Sequence, residues 1–268
     1  MIHLQAIGRK SKTIDDTQFP FSVPAIASLQ RLEFESPVAF FVGENGAGKS
    51  TLLESLAAAA NAVTIGGQDI GRDESLAAAR LLATHLKLEW RHRTHRGFFL
   101  RAEDFFPFAR RLQNLRAELS EQAARYEAEL EQRPRDAGLQ RARGSVLGQI
   151  GAMDARYGEN LDANSHGESF LAVFQNRFVP GGLYLLDEPE AALSPLRQLA
   201  FLSMLKEMAA QDCQFILATH SPILMAYPGA QIFAFDEQPI HAIDYEDVEH
   251  VRLTRAFLND PQAFLHRL

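Results

Sequence analysis

The sequence is poor in several features that define whole classes of protein. Its 268 residues include a single cysteine, Cys213, so no internal disulfide can form and a disulfide-stapled fold is excluded. No stretch approaches the roughly 18 to 20 apolar residues that a membrane-spanning helix requires. The N-terminal residues MIHLQAIGRKSK lack the uninterrupted apolar segment of a signal peptide. We therefore expect a soluble, cytoplasmic protein without membrane insertion.

Basic residues are also in the minority. The chain has 27 Lys and Arg against 34 Asp and Glu, a net charge of -7, which opposes indiscriminate binding to nucleic acid. The distribution is uneven, because 12 arginines, no lysines and 8 acidic residues lie between Arg91 and Arg143. A mildly basic middle therefore interrupts an acidic chain. The hydrophobic fraction of 46% is sufficient for a full globular core.

Apolar runs at both ends of the chain alternate with helical patterns. Residues 37–42, PVAFFV, form a short apolar run typical of a buried strand, and residues 50–60 follow as a helix. Three later segments, 182–186, 215–218 and 231–235, also have the pattern of strands. This alternation predicts an α/β fold with a mostly parallel sheet covered on both faces. The segment before Pro37 predicts a small antiparallel layer.

The middle of the chain has a different composition. Residues 105–161 are rich in Arg, Glu, Gln, Ala and Leu, with Leu112, Leu115 and Leu119 at helical spacing. The helix breakers Pro134, Gly138 and Gly144 favour a helical hairpin over a long coiled coil. We predict an N-terminal lobe over 1–90, an inserted helical subdomain over 91–178 and a C-terminal lobe over 179–268.

Residues 43–50, GENGAGKS, match the phosphate-loop pattern G-x-x-x-x-G-K-[ST] in full. Glycines in this pattern let consecutive backbone N–H groups surround phosphate oxygens at the start of a helix. Lys49, expected on an exposed loop, would reach the β- and γ-phosphates, and the Ser50 hydroxyl would bind Mg²⁺. The predicted nucleotide-binding residues are Gly43, Glu44, Asn45, Gly46, Ala47, Gly48, Lys49, Ser50 and Thr51.

Two adjacent carboxylates end the predicted strand LYLLDEP at residues 183–189. Asp187, at the tip of the strand, is placed to hold Mg²⁺ as in other phosphate-loop enzymes. Glu188 points elsewhere and is the candidate that orients or deprotonates the attacking water. Together with the phosphate loop, this pair predicts Mg²⁺-dependent ATP hydrolysis.

The order of these motifs resembles that of an ABC-type P-loop ATPase. The DEP sequence at 187–189 is followed by a strand and then by Thr219-His220-Ser221, and NSHGE at 164–168 occupies the place of the transporter signature LSGGQ. His166 and Glu168 depart from that signature. The departures resemble the soluble SMC-, RecF- and OLD-like branch, especially small stand-alone bacterial ATPases assigned to the AAA family.

This resemblance implies roles for further residues. Ser165 and Gly167 would contact the γ-phosphate bound by the opposite protomer, so hydrolysis would require a head-to-tail homodimer. His220 would sense that phosphate and hold the geometry of Glu188. Ser194 stands where transporters carry the Asp of the D-loop, the dimer-contacting segment after the DEP sequence.

For two features of the family, the sequence does not identify a single matching residue. The Gln that links nucleotide site and helical subdomain in transporters is missing, and Arg101 or Glu103 would have to replace it. An aromatic platform for adenine is expected in the N-terminal layer, where Phe19 and Phe21 are candidates for stacking or for ordinary packing. The arginines of segment 91–116 could follow a phosphate backbone or simply be solvated, and its phenylalanines could stack on bases or pack in a core.

The predicted function is ATP hydrolysis coupled to opening and closing of the dimer, in DNA repair or phage defence with DNA as a partner. The alternative is an ATP-gated scaffold that binds or releases an effector protein. A transporter subunit is disfavoured by the altered signature and missing Gln, and a small-molecule kinase needs neither Ser165 nor His220.

Overall fold

A computed structural model describes residues 1–10, 17–65, 70, 73–157, 166–235 and 239–266. The chain divides into two compact units. The first, here called the sheet unit, combines Met1–Ala102 with Val179–Leu268, and the second, the helical unit, is Glu103–Phe178.

Nine strands lie in the described part of the sheet unit. They are β1 (Leu4–Arg9), β2 (Arg31–Glu33), β3 (Val38–Val42), β4 (Leu86–Trp90), β5 (Gly97–Arg101), β6 (Leu183–Asp187), β7 (Gln214–Ala218), β8 (Gln231–Ala234) and β9 (His241–Ala242). The main sheet has the order β5-β6-β7-β3-β8-β9, with β9 antiparallel to β8 and the other neighbours parallel. Strands β2-β1-β4 form a separate antiparallel sheet. The predicted α/β fold with its N-terminal antiparallel layer is confirmed.

The strands are joined and covered by helices. In chain order these are α1 (Pro24–Ala27), α2 (Lys49–Ala60), α3 (Ala77–His85), α4 (Ala102–Gln132), α5 (Ala137–Tyr157), α6 (His166–Arg177), α7 (Pro195–Ala210), α8 (Pro222–Met225), α9 (Glu249–Asn259) and α10 (Pro261–Leu265). Short 3-10 turns span Glu74–Leu76, Pro189–Ala192 and Tyr245–Asp247. Crossover helices between parallel strands are what such a sheet requires.

The core of the sheet unit lies between the main sheet and α2. Every residue of β3, β6 and β7 is buried, and α2 packs Leu52, Leu53 and Leu56 with no exposed surface. A buried amide joins β7 to the antiparallel sheet: Oε1 of Gln214 accepts from the backbone N–H groups of His3 and Leu4, at 2.8 Å each. Because Gln214 is the first residue of β7, these bonds fix the amino end of that strand against the antiparallel sheet.

The helical unit has a smaller core. Leu119, Ala123 and Val146 form its cluster between α4 and α5, and the Arg116 guanidinium donates to the Asp154 carboxylate at 2.7 and 3.2 Å. The rings of Phe105 and Phe170 meet edge to face at 4.4 Å. The helices α4 and α5, joined by a short turn at residues 133–136, form the predicted helical hairpin.

Two details differ from the sequence prediction. The helical unit begins at Glu103 rather than at residue 91, because Gly97–Arg101 pairs with β6 in the main sheet. Gly138 and Gly144 lie inside α5, where each costs about 1 kcal/mol relative to alanine without ending the helix. Among the described residues, no helix is long and apolar enough to cross a membrane.

Candidate nucleotide site

The loop between β3 and α2 has a backbone that side chains would not permit. Gly43 has φ of 141°, and a Cβ there would come within 2.5 Å of the Phe235 carbonyl oxygen. Gly48 has φ of 100°, and a Cβ there would lie 2.8 Å from Cγ1 of Val23. Both glycines are required because the left-handed backbone and the close neighbours exclude L-residues.

The loop presents backbone N–H groups at the start of α2. Gly48 is the N-cap residue and has no side chain to cap the helix. The first N–H groups of a helix have no intrahelical acceptor, and the helix dipole makes this end positive. An anion such as a phosphate is therefore the natural partner of this loop.

Lys49 is buried, contrary to the expectation of an exposed loop residue. Its side chain folds back so that Nζ donates to the carbonyl oxygens of Gly43 at 2.8 Å and Glu44 at 2.9 Å. Only 4% of the residue is exposed, because α2 brings its first residue under the loop. Burial lowers the pKa of Lys49, and the negative charges of Glu188 and Asp187 oppose that shift. The ammonium group is thus held inside the loop that would receive phosphates.

Ser50 and Asp187 meet at the ends of α2 and β6. The Ser50 hydroxyl donates to Oδ1 of Asp187 at 3.1 Å, although the residues are 137 positions apart. Asp187 is only 8% exposed, and burial raises its pKa to about 7. A partly buried hydroxyl and a buried carboxylate are the hard oxygen donors that Mg²⁺ prefers, and the structure therefore fits the predicted metal.

The Ser50–Asp187 pair is not part of a larger cluster of metal-binding side chains among the described residues. Within the ranges that the structure describes, no group of three or more His, Cys, Asp or Glu side chains could hold a metal ion. Mg²⁺ is commonly held by one or two protein side chains, with phosphates and water completing its shell. The Ser50–Asp187 pair suits that kind of site.

Glu188 adopts a left-handed backbone conformation. Its φ is 51° and its ψ is 47°, which costs a non-glycine residue about 1 kcal/mol. The Glu188 N–H donates to the Ala218 carbonyl at 2.9 Å, which holds the turn against β7. The carboxylate is 46% exposed, and its Oε1 lies 3.8 Å from Nε2 of His220. The two adjacent acids therefore face different surroundings.

Glu190 is a site residue for which the sequence analysis predicted no role. Its Oε1 accepts from Oγ1 of Thr219 at 2.7 Å and from the backbone N–H of His220 at 2.6 Å. Burial raises the pKa of this carboxyl, and its Oε2 is a buried atom without a hydrogen-bond partner among the described residues. The one available signal was its place in the sequence DEPE, two residues after Glu188. Glu190 fastens the loop that carries His220 to the loop that carries Glu188.

His220 also contacts a histidine from the C-terminal part of the chain. Its Nδ1 lies 3.4 Å from Nε2 of His250, and the rings meet edge to face at 4.9 Å. Burial lowers the pKa of His220, with Lys49 and His250 adding to the shift, so the neutral imidazole is favoured.

A cavity of about 540 Å³ adjoins the phosphate loop. Residues 43–47 form one wall, and Phe235, Ile243, Val248 and His250 contribute to the others. Its volume falls in the range of roughly 300 to 1,000 Å³ that small-molecule sites occupy.

The residues proposed to replace the linking Gln and to stack on adenine lie in surroundings that do not suit most of those roles. Arg101 is 8% exposed, and its guanidinium pairs with Asp73 at 3.0 Å and with Glu54 at 3.6 Å. Phe21 is 4% exposed, with His85 against its ring and the Arg9 guanidinium over it at 5.7 Å, so adenine has no access to it, whereas Phe19 is 60% exposed. Arg101 therefore serves an internal ion cluster, and Phe21 serves the core.

The predicted signature loop at 164–168 falls partly outside the described residues, because only residues 166–168 are described, at the start of α6. Ser165 lies in the undescribed range 158–165, and Gly167 lies in the first turn of α6 in the helical unit. Glu103 also belongs to that unit. Ser194 is the exposed residue that precedes α7 in the sheet unit. The trans roles of Ser165 and Gly167 stay predictions.

The arginine-rich segment is only partly a solvated surface. Arg91, Arg93, Arg96, Arg110 and Arg111 are exposed, whereas Arg101 is buried. Phe98, Phe99 and Phe105 are 3%, 0% and 1% exposed, so these rings are packed and cannot stack on bases. Phe106, in contrast, is 39% exposed, so the surface of this segment offers an aromatic ring as well as arginines.

Two protein-family models match the sequence. Residues 23–84, which include the phosphate loop, match the model described as "AAA domain". Residues 169–226, which include Asp187, Glu188 and His220, match the model described as "AAA domain, putative AbiEii toxin, Type IV TA system". No curated protein matches the sequence significantly.

Several solved structures are similar to the chain. One is titled "An inward-facing conformation of a putative metal-chelate type ABC transporter", with 16% identity, a TM-score of 0.48 and coverage of 97% of this chain and 90% of that chain. The Smc head domain of Pyrococcus furiosus, bound to the C-terminal domain of ScpA, shows 11% identity and a TM-score of 0.47 over 98% of this chain and 100% of that chain. The cbiO1 protein of the Clostridium perfringens ABC transporter complex cbiONQ shows 14% identity and a TM-score of 0.47 over 100% of both chains.

The two family matches cover the two halves of the candidate site, and the sheet brings those halves together at Ser50 and Asp187. The phosphate loop and the acidic end of β6 each lie in a segment that matches an AAA-domain model, so the chain is similar to AAA-domain proteins in both parts of the candidate site.

Proposed function

We propose that the chain binds ATP together with Mg²⁺ and hydrolyses it. The observation that carries this proposal is the 3.1 Å contact between Ser50 and Asp187 beside the buried ammonium group of Lys49. Ser50 and Asp187 would hold Mg²⁺, which when bound offsets negative charge on the phosphates. Backbone N–H groups of the loop and the Lys49 ammonium group would bind the β- and γ-phosphates.

Glu188 is the proposed base for the attacking water. Water bonds to the γ-phosphorus as the bond to the ADP oxygen breaks, and the water proton passes to the Glu188 carboxylate. His220 lies 3.8 Å from that carboxylate and is the proposed sensor of the γ-phosphate. The nucleoside extends into the 540 Å³ cavity beside the loop.

ATP binding is proposed to close a head-to-tail homodimer. Support comes from the resemblance of residues 190–194 to the D-loop and from two exposed apolar side chains just after it, Leu196 at 77% and Leu199 at 53%. In this proposal Ser165 and Gly167 complete the site of the partner subunit. Ser165→Arg should then block hydrolysis while ATP binding to the monomer is unchanged, and full ATPase activity of that variant would contradict a trans role.

The decisive experiment uses Glu188→Gln. The amide keeps shape and hydrogen bonding but removes basicity, so the rate should fall about a hundredfold to ten-thousandfold while ATP and Mg²⁺ still bind. With hydrolysis blocked, the variant should accumulate as an ATP-dependent dimer in light-scattering measurements. Glu129→Gln, an amide substitution at an exposed position of α4, is the matched control and should behave as wild type.

The possible results separate the parts of the proposal. A Glu188→Gln protein with the wild-type rate would remove Glu188 from the mechanism. A slow variant that stays monomeric in saturating ATP would retain the chemistry and contradict the dimer. Absence of ATP binding by wild-type protein in calorimetry would contradict the proposed function itself.

The process served by hydrolysis is proposed to be DNA repair or phage defence. Support comes from the exposed arginines of segment 91–116 and from the family match whose description names a toxin of a type IV toxin–antitoxin system. DNA should raise the ATPase rate most strongly at low salt, because phosphate contacts release counterions. A rate unchanged by single- and double-stranded DNA would favour the alternative, an ATP-gated scaffold for an effector protein.

A further inference from the structure

His250 lies where the C-terminal segment reaches the candidate site. It occupies the first turn of α9, and its Nε2 lies 3.4 Å from Nδ1 of His220. The rings are almost perpendicular, at 88°, with centroids 4.9 Å apart. The sequence analysis assigned no role to His250, which is 30 residues from His220.

The turn that presents His250 is anchored on both sides. Val248 and Val251 are 3% and 2% exposed, so the start of α9 is packed into the sheet unit. The Tyr245 hydroxyl donates to the Pro222 carbonyl at 3.1 Å, which joins the preceding turn to α8 just after His220. His250 is therefore presented to His220 by packed structure rather than by a free terminal segment.

The function of His220 depends on which ring nitrogen carries the proton. A neutral imidazole has one N–H donor and one acceptor nitrogen. Its Nε2 faces the Glu188 carboxylate at 3.8 Å and, among the described residues, is a buried atom without a hydrogen-bond partner. A γ-phosphate and a carboxylate are both acceptors, so the useful tautomer carries its proton on Nε2.

We propose that His250 is a positioning residue that sets this tautomer: its Nε2–H donates to Nδ1 of His220 and keeps the His220 proton on Nε2, toward Glu188 and the γ-phosphate. The proposal rests on the ATPase function proposed above. In histidine sites generally, the hydrogen bond made by one ring nitrogen determines whether the other nitrogen carries the proton.

Charge around the ring decides the direction of this hydrogen bond. If His220 donated from Nδ1, its Nε2 lone pair would face the Glu188 carboxylate and the incoming phosphate, and two acceptors would oppose each other. Burial and the Lys49 charge lower the pKa of His220, which disfavours the doubly protonated ring. The 3.4 Å separation is long, as catalytic hydrogen bonds often are before substrate binds.

The first test reads the tautomer directly and does not depend on ATP hydrolysis. In protein labelled with ¹⁵N-histidine and free of nucleotide, long-range proton–nitrogen spectra should show His220 protonated on Nε2, with His220→Gln used to assign its signals. In His250→Phe, which keeps a ring at the edge contact but removes the donor, the His220 signals should shift toward a mixture of tautomers. A wild-type His220 protonated on Nδ1, or signals unchanged in His250→Phe, would overturn the proposal.

The second test is kinetic. His250→Phe should lower kcat about fivefold to tenfold, the loss expected for one hydrogen bond that acts through His220, and any change in KM for ATP, which would reflect the place of His250 in the cavity wall, should be smaller. His250→Gln supplies an amide N–H and should recover part of kcat. His241→Phe, the same substitution at an exposed histidine of β9, is the control and should leave kcat unchanged.

A double variant separates this positioning role from a structural one. In a His220→Gln background, His250→Phe should cause no further loss of kcat, because its effect passes through His220. A full additional loss there, or wild-type kcat in His250→Phe alone, would overturn the proposal. Failure of the wild-type protein to hydrolyse ATP would contradict the proposed function, and the tautomer spectra would still test the role of His250.

Discussion

The sheet unit and the helical unit bury very different amounts of their sequence. In the sheet unit β3, β6 and β7 are buried at every position, and a continuous apolar cluster joins them to α2. In the helical unit, the cluster between α4 and α5 consists of Leu119, Ala123 and Val146, with Tyr126, Ile150 and Met153 partly buried around it. Most other side chains of these long helices face solvent.

The unit that buries more of its side chains is also the one that contains the candidate site residues Lys49 and Asp187. The sheet unit buries Lys49, Arg101 and Asp187, and buried charges persist only when partners offset the cost of removing them from water. Dense packing around them leaves few ways to relax after substitution. The helical unit keeps its charges near the surface, where substitutions are usually tolerated. The comparison predicts that the two units respond unequally to matched changes.

The largest effect is expected from a cavity in the sheet unit. Leu185→Ala removes a side chain with no exposed surface from β6 and should cost about 3 to 5 kcal/mol of unfolding free energy. Leu119→Ala, at a residue 9% exposed in the helical unit, should cost only about 2 kcal/mol. Urea unfolding can be followed by Trp90 fluorescence for the sheet unit and by circular dichroism for the helices. Equal losses would contradict the contrast between the units.

The next effect concerns the buried ion cluster. Arg101→Met leaves the carboxylates of Asp73 and Glu54 without their guanidinium partner and should destabilise the protein by about 3 kcal/mol. Arg110→Met, the same change at an exposed position of α4, should stay within about 0.5 kcal/mol of wild type. Both values come from urea unfolding at neutral pH. Similar stability of the two variants would show that the cluster contributes little.

Asp187→Asn should stabilise the protein while removing its metal site. Because burial raises the native pKa of Asp187 from 3.8 to about 7, the native state binds a proton that the unfolded state has released between these values. The stability contributed by this group therefore falls as pH rises from about 4 to 7. In metal-free protein, Asn should add about 1 to 4 kcal/mol at pH 8 and less than about half as much at pH 5.

Thermal unfolding of wild type and Asp187→Asn at pH 5 and pH 8 measures this difference, without nucleotide or metal. The same variant should lose Mg²⁺-dependent ATP hydrolysis. A variant that is less stable than wild type at pH 8 would contradict the argument that the buried carboxylate destabilises the empty site.

The smallest effect on stability is expected at the basic surface of the helical unit. Arg110→Gln with Arg111→Gln should change the unfolding free energy by less than about 0.5 kcal/mol and leave basal ATPase activity unchanged. If DNA binds there, the slope of log affinity against log salt should fall by about 2. An unchanged slope together with strong DNA binding would assign the contact to another surface.

Much of the fold could be predicted because the signals are local. The run PVAFFV and the helix formers after Lys49 predicted β3 and α2, and both elements form. Periodicity identified α7 as a helix but could not tell its buried face. Leu196 and Leu199 are exposed there, while Gln198 and Phe201 are buried. Which side of a helix is covered depends on neighbours far away in sequence.

The candidate site likewise has features that the sequence predicted and features that it did not. The glycine spacing of residues 43–48 implied the phosphate loop, because only glycine adopts that backbone at low cost. The environment of Lys49 was not implied, since its burial depends on how α2 meets the loop. Arg101 was a candidate link to the helical subdomain, yet Asp73 and Glu54 pair with it. Sequence spacing cannot decide which of many acids an arginine will meet.

The sequence by itself determined that a phosphate-binding loop is followed by an acidic strand end and a histidine, because each motif is a short run with its own backbone or chemical requirement. Only the tertiary structure decided what surrounds these groups. The parallel register of β3, β6 and β7 brings Ser50 to Asp187 and Glu190 to the loop of His220. The first turn of α9 brings His250 to the ring of His220. Hydrogen bonds form between whichever donors and acceptors packing brings within about 3 Å, and that choice is made in space rather than along the chain.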